Sequence, residues 1–213
     1  NCTFNDSWIW EVADPNSIAM SPPPPPPFVQ ASADVIGAIP EGQLITQKDE
    51  IALDISGEDG FLSSTLSPES IRNFVFHTSV QMDTADPDDV CQLRFRGTQD
   101  NVYTINFNRD SDIILWEFVN AEWQLNPVVG YGGTLQRDTT DFNDVYIVAI
   151  EDKFSVFVNG QYVAQFSDDQ LGSGNIVVGA DENSTPIDTM RCIFNNTWVW
   201  EITDENIQPL LPP

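Results

Sequence analysis

Residues 1–11, NCTFNDSWIWE, return at residues 191–201 as RCIFNNTWVWE. Cys2 aligns with Cys192, Phe4 with Phe194, Asn5 with Asn195, Trp8 with Trp198, Trp10 with Trp200 and Glu11 with Glu201, all at one offset. The copy at the start alternates, with Cys2, Phe4, Asp6, Trp8 and Trp10 on one face and polar or smaller residues between them, which is the period of a β-strand. The polar Asp6 interrupts the apolar face, as Asn196 does in the second copy. Self-similarity at a fixed spacing marks a repeat architecture. A strand at residues 1–12 without a sandwich of its own cannot bury Phe4, Trp8 and Trp10. It is expected either to end a preceding repeat of the same chain or to be lent to a neighbouring subunit. Residues 13–30 form a Pro-rich linker in which Pro22 to Pro27 predict an extended polyproline segment near 20 Å long, at about 3.1 Å per residue. The main domain is expected over 31–204, followed by a Pro-containing segment at 205–213.

Within that domain short β-type runs recur. They lie at 50–55, 73–80, 91–96, 102–107, 113–118, 145–150, 153–158, 162–166 and 174–179, before the closing strand. Asn159-Gly160 between two apolar runs is a two-residue hairpin signal, and Glu151-Asp152 is a second turn. Helical periodicity is scarce. Many short strands joined by polar turns predict an all-β, antiparallel β-sandwich jelly roll.

The order Val90-Cys91-Gln92-Leu93-Arg94-Phe95-Arg96-Gly97, then Asn101-Val102-Tyr103, then Phe154 to Ala164 around Val158-Asn159-Gly160, then Gly172 to Gly179, resembles the concanavalin A-like lectin/glucanase superfamily. The similarity is to its laminin-G-like and 3-keto-disaccharide-hydrolase-like branch and runs from Leu44 to Trp200. Asn195-Asn196 stands where that branch has Asp-Asn. The resemblance implies a jelly roll and a secreted setting. It leaves open whether the domain binds sugars, cleaves them, adheres to proteins or spaces other domains.

Eight basic residues against 33 acidic give a net charge of −25, which disfavours nucleic acid and anionic membranes as partners. No run of about 20 apolar residues predicts a membrane span. Asn1, Asn5, Asn183 and Asn195 head N-x-[ST] sequons, consistent with an extracellular glycoprotein. Cys91 is expected to bridge to one copy of the closing strand, at Cys192, leaving Cys2 for another unit. The single histidine, His77, lies mid-strand and is read as structural, since a catalytic triad would have to use it. No cofactor is expected. Calcium is possible, with Asp86, Asp88, Asp110 and Asp112 as candidate ligands in two acidic loops, whereas one His and three dispersed Cys disfavour zinc. The paired-acid strand of β-jelly-roll glucanases has no counterpart at Glu201–Glu205 or Glu117–Glu122, so the chain is not expected to be an enzyme. Trp116, Trp123, Tyr103 and Tyr131 are candidate sugar platforms, with Trp123 and Tyr131 the chosen pair. The leading expectation is a structural repeat or subunit of an extracellular filament, stalk or adhesin, assembled head-to-tail through Phe4, Trp8 and Trp10. The alternative is a carbohydrate-binding module, and the third reading is a glycoside-cleaving enzyme.

Overall fold

A computed structural model describes residues 36, 39–56, 60–84, 86, 88–98, 100–108, 113–124, 130–131, 141–182 and 189–203. The N-terminal strand with Cys2, Phe4, Trp8 and Trp10, the proline segment, Asn1, Asn5, Asn183, Asp110, Asp112 and residues 205–213 lie outside that description.

Thirteen strands are present among the described residues: β1 (Gly42–Ser56), β2 (Phe61–Ile71), β3 (Phe74–Asp83), β4 (Val90–Gly97), β5 (Val102–Asn108), β6 (Ile113–Val119), β7 (Glu122–Trp123), β8 (Gly130–Tyr131), β9 (Asn143–Ile150), β10 (Lys153–Val158), β11 (Gln161–Ser167), β12 (Gly174–Asp181) and β13 (Thr189–Ile202). They form two antiparallel sheets, β1-β13-β3-β9-β10-β11 and β2-β12-β4-β5-β6-β7, with β8 beside β6. The result is the expected jelly-roll sandwich.

Each run singled out by its alternation is a strand. The turns follow their residues: Asn159 and Gly160 take positive φ (50° and 78°), as does Glu151, so β10–β11 and β9–β10 close as tight hairpins. Gly174 is glycine because a Cβ there would meet the backbone of Arg96 and Gly97 at 2.3–2.5 Å. The core between the sheets is apolar, with Leu93, Phe95, Ile105, Phe107 and Leu115 from one sheet facing Phe76, Ile147, Phe154, Val156 and Phe194 from the other. Cys91 of β4 and Cys192 of β13 form a disulfide with Cα atoms 5.7 Å apart, tying one sheet to the other across 101 positions of sequence.

The sequence pattern missed β2, which contains Pro68 and four serines. It is the edge of its sheet, where a missing N–H donor is tolerated. The single-faced reading of the closing strand also needs correction in β13. Cys192, Phe194 and Val199 join the central core, whereas Trp198, Trp200 and Ile202 belong to a second cluster on the opposite face. The pairing with β3 shifts register between Asn195 and Trp198, and Asn196 adopts φ 50°. This is a β-bulge, and one inserted residue turns all that follow to the other side. The polar residue that breaks the alternation is therefore the hinge at which the aromatics change face.

Past that bulge, one row of rings crosses five strands through the paired positions Trp198, His77, Tyr146, Phe157 and Tyr162. His77 stacks on Trp198 at 5.3 Å and lies 4.4 Å from Tyr146 between ring centroids. Its two nitrogens approach the Asn196 carbonyl (2.9 Å) and the Asp144 carboxylate (2.7 Å). The histidine is thus built into sheet packing. Ile36 and Ile39 pack on this face, and Trp200 Nε1 donates to the Pro40 carbonyl at 3.2 Å.

Candidate functional site

Alternation sends every second residue of the seven-stranded sheet outward. In β4 the outward residues are Gln92 and Arg94, between the core positions Cys91, Leu93 and Phe95. In β5 they are Thr104 and Asn106, in β6 Ile114, Trp116 and Phe118, and in β12 Asn175, Val177, Gly179 and Asp181. These side chains line two adjoining hollows. One, of about 370 Å³, is bounded by Asp88, Val90, Gln92, Asn106, Asn108, Ile114, Trp116, Trp123 and Asp181. The other, of about 310 Å³, is bounded by Phe61, Ser63, Thr65, Arg94, Gly97, Thr98, Val102, Phe118, Asn175 and Val177.

A polar ridge separates them. Arg94 Nε donates to Gln92 Oε1 at 2.9 Å, and Gln92 Nε2 donates to Asp181 Oδ2 at 3.3 Å. The Arg94 guanidinium lies 3.9 Å from the Asp181 carboxylate and 3.9 Å over the Phe61 ring. Burial lowers the pKa of Arg94, against the pull of Asp181. Burial likewise raises that of Asp181, against its hydrogen bond from Gln92 and the charge of Arg94. Gly179 leaves room for this arrangement, because a Cβ there would stand 2.9 Å from Phe61 and 3.2 Å from Gln92. The ridge is thus fixed by contacts within the protein.

Two acceptors beside it are unused. The Asn106 amide oxygen and the Thr104 hydroxyl are buried without a hydrogen-bond partner in the protein. A buried polar atom without a partner carries a free-energy cost that a bound donor would remove. Asn106 borders the larger hollow together with Trp116 and Trp123.

Of the residues singled out in the sequence, Trp123 stands at the rim, 48% exposed, its ring 5.0 Å from Phe118. Trp116 lines the same hollow. Tyr103 is fully buried in the core and is no platform. Tyr131 pairs through its backbone with Ile113, and its side chain lies outside the description. Asp88 borders the groove, while the Asp86 carboxylate accepts the Asp88 N–H at 2.8 Å and so holds a turn. No group of three His, Cys, Asp or Glu able to hold a metal occurs among the described residues. Asn195 is half-buried mid-strand between Glu50 and Ser79, with its amide oxygen enclosed. Gln92, Arg94, Asn106, Asn108 and Asp181 were missed. Their signal was present as the polar half of VCQLRFRG, VYTINFN and GNIVVGAD.

A second polar cluster faces the opposite way. Glu117 follows Trp116 and points inward, where Gln170 Nε2 donates to it at 3.1 Å. The Tyr103 hydroxyl donates to Asp168, and the Gln170 N–H does so at 2.9 Å. Burial, and then the charge of Asp168, push Glu117 up to about 7. Burial also pushes Asp168 upward, but the hydrogen bonds it accepts from Tyr103, Gln170 and Glu117 hold it below the usual range. Of the two, Glu117 therefore keeps a proton to the higher pH. This pair lies on the inner side of β6 and does not line the groove.

No protein-family model matches the chain, and no characterised protein matches it in sequence. Solved structures do match its shape. A carbohydrate-binding module, CBM66, from Bacillus subtilis superposes with a TM-score of 0.57 at 14% identity, covering 73% of this chain and 98% of that one. A β-1,3-1,4-glucanase (lichenase) from a mouse hindgut metagenome gives 0.54 at 13% identity, covering 74% and 82%. The β-glucanase of Bacillus licheniformis gives 0.52 at 10% identity, covering 73% and 79%. These likenesses are in fold, a two-sheet antiparallel jelly roll.

Proposed function

We propose that the domain binds an uncharged polysaccharide along the outer face of the seven-stranded sheet. The observation that carries this reading is the unpartnered Asn106 oxygen beside Trp116 and Trp123. Sugar hydroxyls donate to such an acceptor, and the negative face of an indole ring attracts the C–H face of a pyranose. Few, fixed polar groups among apolar walls are the usual make-up of a ligand site. Two hollows either side of the Gln92–Asp181–Arg94 ridge fit several consecutive sugar units better than one. The net charge of −25 repels polyanionic glycans at low salt. The carbohydrate-binding module and glucanases of the same fold support the class of ligand. The Cys91–Cys192 bridge supports an oxidising, extracellular compartment.

One observation favours hydrolysis as a second reading: Asp88 and Asp181 both border the larger hollow, and burial raises Asp181. Asp181 is, however, held by Gln92 and Arg94, which suits an acceptor of hydrogen bonds better than a proton donor.

Affinity electrophoresis through gels containing mixed-linkage β-glucan, xylan, mannan or fructan tests the proposal. At least one of these should retard the protein, and Trp116→Ala and Asn106→Ala should each abolish retardation while Lys48→Ala on the other sheet leaves it intact. Retardation by none of the four, or retardation indifferent to Trp116, defeats the reading. Release of reducing ends that disappears in Asp181→Asn would replace it with the hydrolytic one.

A further inference from the structure

The slot that holds β13 makes a specific set of demands. β13 is an interior strand, paired with β1 from Gly42↔Ile202 to Ser56↔Thr189 and with β3 from Arg191↔Asp83 to Glu201↔Phe74. Position 192 must supply a thiol for the bridge to Cys91. Position 194 must fill the core. Position 196 must accept positive φ. The Thr197 hydroxyl, fully buried, meets Thr78 Oγ1 at 2.8 Å. Trp198 and Trp200 fill the outer cluster, Val199 returns to the core, and Glu201 accepts from Gln43 Nε2 at 2.7 Å.

Residues 1–12 meet each demand in register. Cys2, Phe4, Trp8, Trp10 and Glu11 are identical to their counterparts. Asp6 replaces Asn196, and Asp shares with Asn the tolerance for positive φ that a bulge needs. Ser7 keeps the hydroxyl of Thr197. Ile9 and Val12 keep β-branched side chains for Val199 and Ile202. The changes of character fall at exposed or half-buried positions, where Asn1 stands for Arg191 and Thr3 for Ile193. Identity therefore tracks what the slot requires, including the bulge that alternation alone does not show.

We infer that residues 1–12 are the closing strand of a second sandwich built like this one, with Cys2 in disulfide linkage to that sandwich's counterpart of Cys91. The partner is a sandwich that lacks its own closing strand. It is not another copy of this chain, because here the slot is filled by β13 on both edges and locked by Cys91–Cys192. Head-to-tail exchange between identical copies would have to break that bridge and strip both ladders. A tandem arrangement, in which each unit is closed by the strand that precedes the next linker, needs neither. This inference is independent of the glycan reading.

A fusion tests it. Residues 31–190 are placed directly before Asn1 of the full chain, so that the upstream sandwich can be closed only by residues 1–12. In the control fusion, residues 191–202 stand in place of 1–12. Both are produced in an oxidising compartment. The expected result is two protease-resistant sandwiches in each, with peptide mapping showing Cys2 bonded to the upstream Cys91 and Cys192 to its own Cys91. Phe4→Asp should abolish the resistance of the upstream half alone. If the control yields two sandwiches but the test fusion yields only the downstream one, or if Cys2 is found free or bonded to the downstream Cys91, the inference is overturned. If the control itself has no upstream sandwich, the closing strand of this unit cannot complete a linked copy, and the tandem arrangement is overturned as well.

Discussion

On the six-stranded sheet, the side chains pointing away from the core include Val75, Tyr146, Val148, Phe157, Trp198 and Trp200. On the seven-stranded sheet they include Gln92, Arg94, Thr104, Asn106, Asn108 and Asp181. The first set is buried, with Trp198 only 2% exposed, and Ile36 and Ile39 pack on it. The second borders a groove with Trp123 at its rim, 48% exposed, although Gln92 and Thr104 are themselves buried. Both faces are products of the same period-two geometry, so the difference lies in what the alternate positions carry. A covered outer face contributes stability, whereas a grooved face with fixed polar side chains and an exposed tryptophan offers a surface for recognition.

The largest effect should touch both faces, because one bond joins their sheets. Replacing Cys91 and Cys192 together by Ala should lower unfolding free energy by up to about 4–5 kcal/mol in the chain-entropy model for a loop of this length, read by urea denaturation. Next, Trp198→Ala should cost about 3–5 kcal/mol without changing the groove. Trp116→Ala should cost about 1 kcal/mol or less while removing polysaccharide retardation. Equal destabilisation by the two variants would erase the contrast between the faces.

An effect smaller than that of Trp198→Ala comes from Glu117. Its pKa is raised from 4.5 in the unfolded chain to about 7 in the fold, so the folded state holds the proton more tightly. The stability this contributes is fully present below pH 4.5 and is lost as pH rises through 7. The loss should amount to about 1–2 kcal/mol, given partial solvent screening. Glu117→Gln keeps a donor toward Asp168 and should flatten that part of the pH–stability curve. An unchanged curve would show that Glu117 does not hold that proton. Similar in size to Trp116→Ala is Asn159→Ala, which places a residue without a local hydrogen bond at φ 50° and should cost about 1 kcal/mol, with groove binding intact.

The contrast between faces was partly legible in the sequence. Val145 to Ile150 is apolar at every position but Tyr146, the pattern of a strand buried on both sides. Cys91 to Arg96 and Tyr103 to Phe107 alternate apolar with polar, the pattern of a strand with one open side. Ten of the thirteen strands followed from such runs and the closing strand, whereas β2, β7 and β8 did not. The groove was not assembled from sequence, because Gln92, Asn106 and Asp181 lie on β4, β5 and β12, and their adjacency depends on sheet order. Trp123 was found because it is an aromatic beside a turn. The change of face at Asn196 was visible only as a polar residue out of place. β2 escaped because an edge strand with Pro68 and serines has no strong alternation to read.

Backbone amide hydrogen exchange, measured with and without a saturating concentration of whichever neutral polysaccharide retards the protein, bears most directly on the account. Added protection should fall on β4, β5, β6 and β12, with β9, β10 and β13 unchanged. Protection on β9, β10 and β13 instead, or none anywhere, would contradict the assignment of recognition to the polar face.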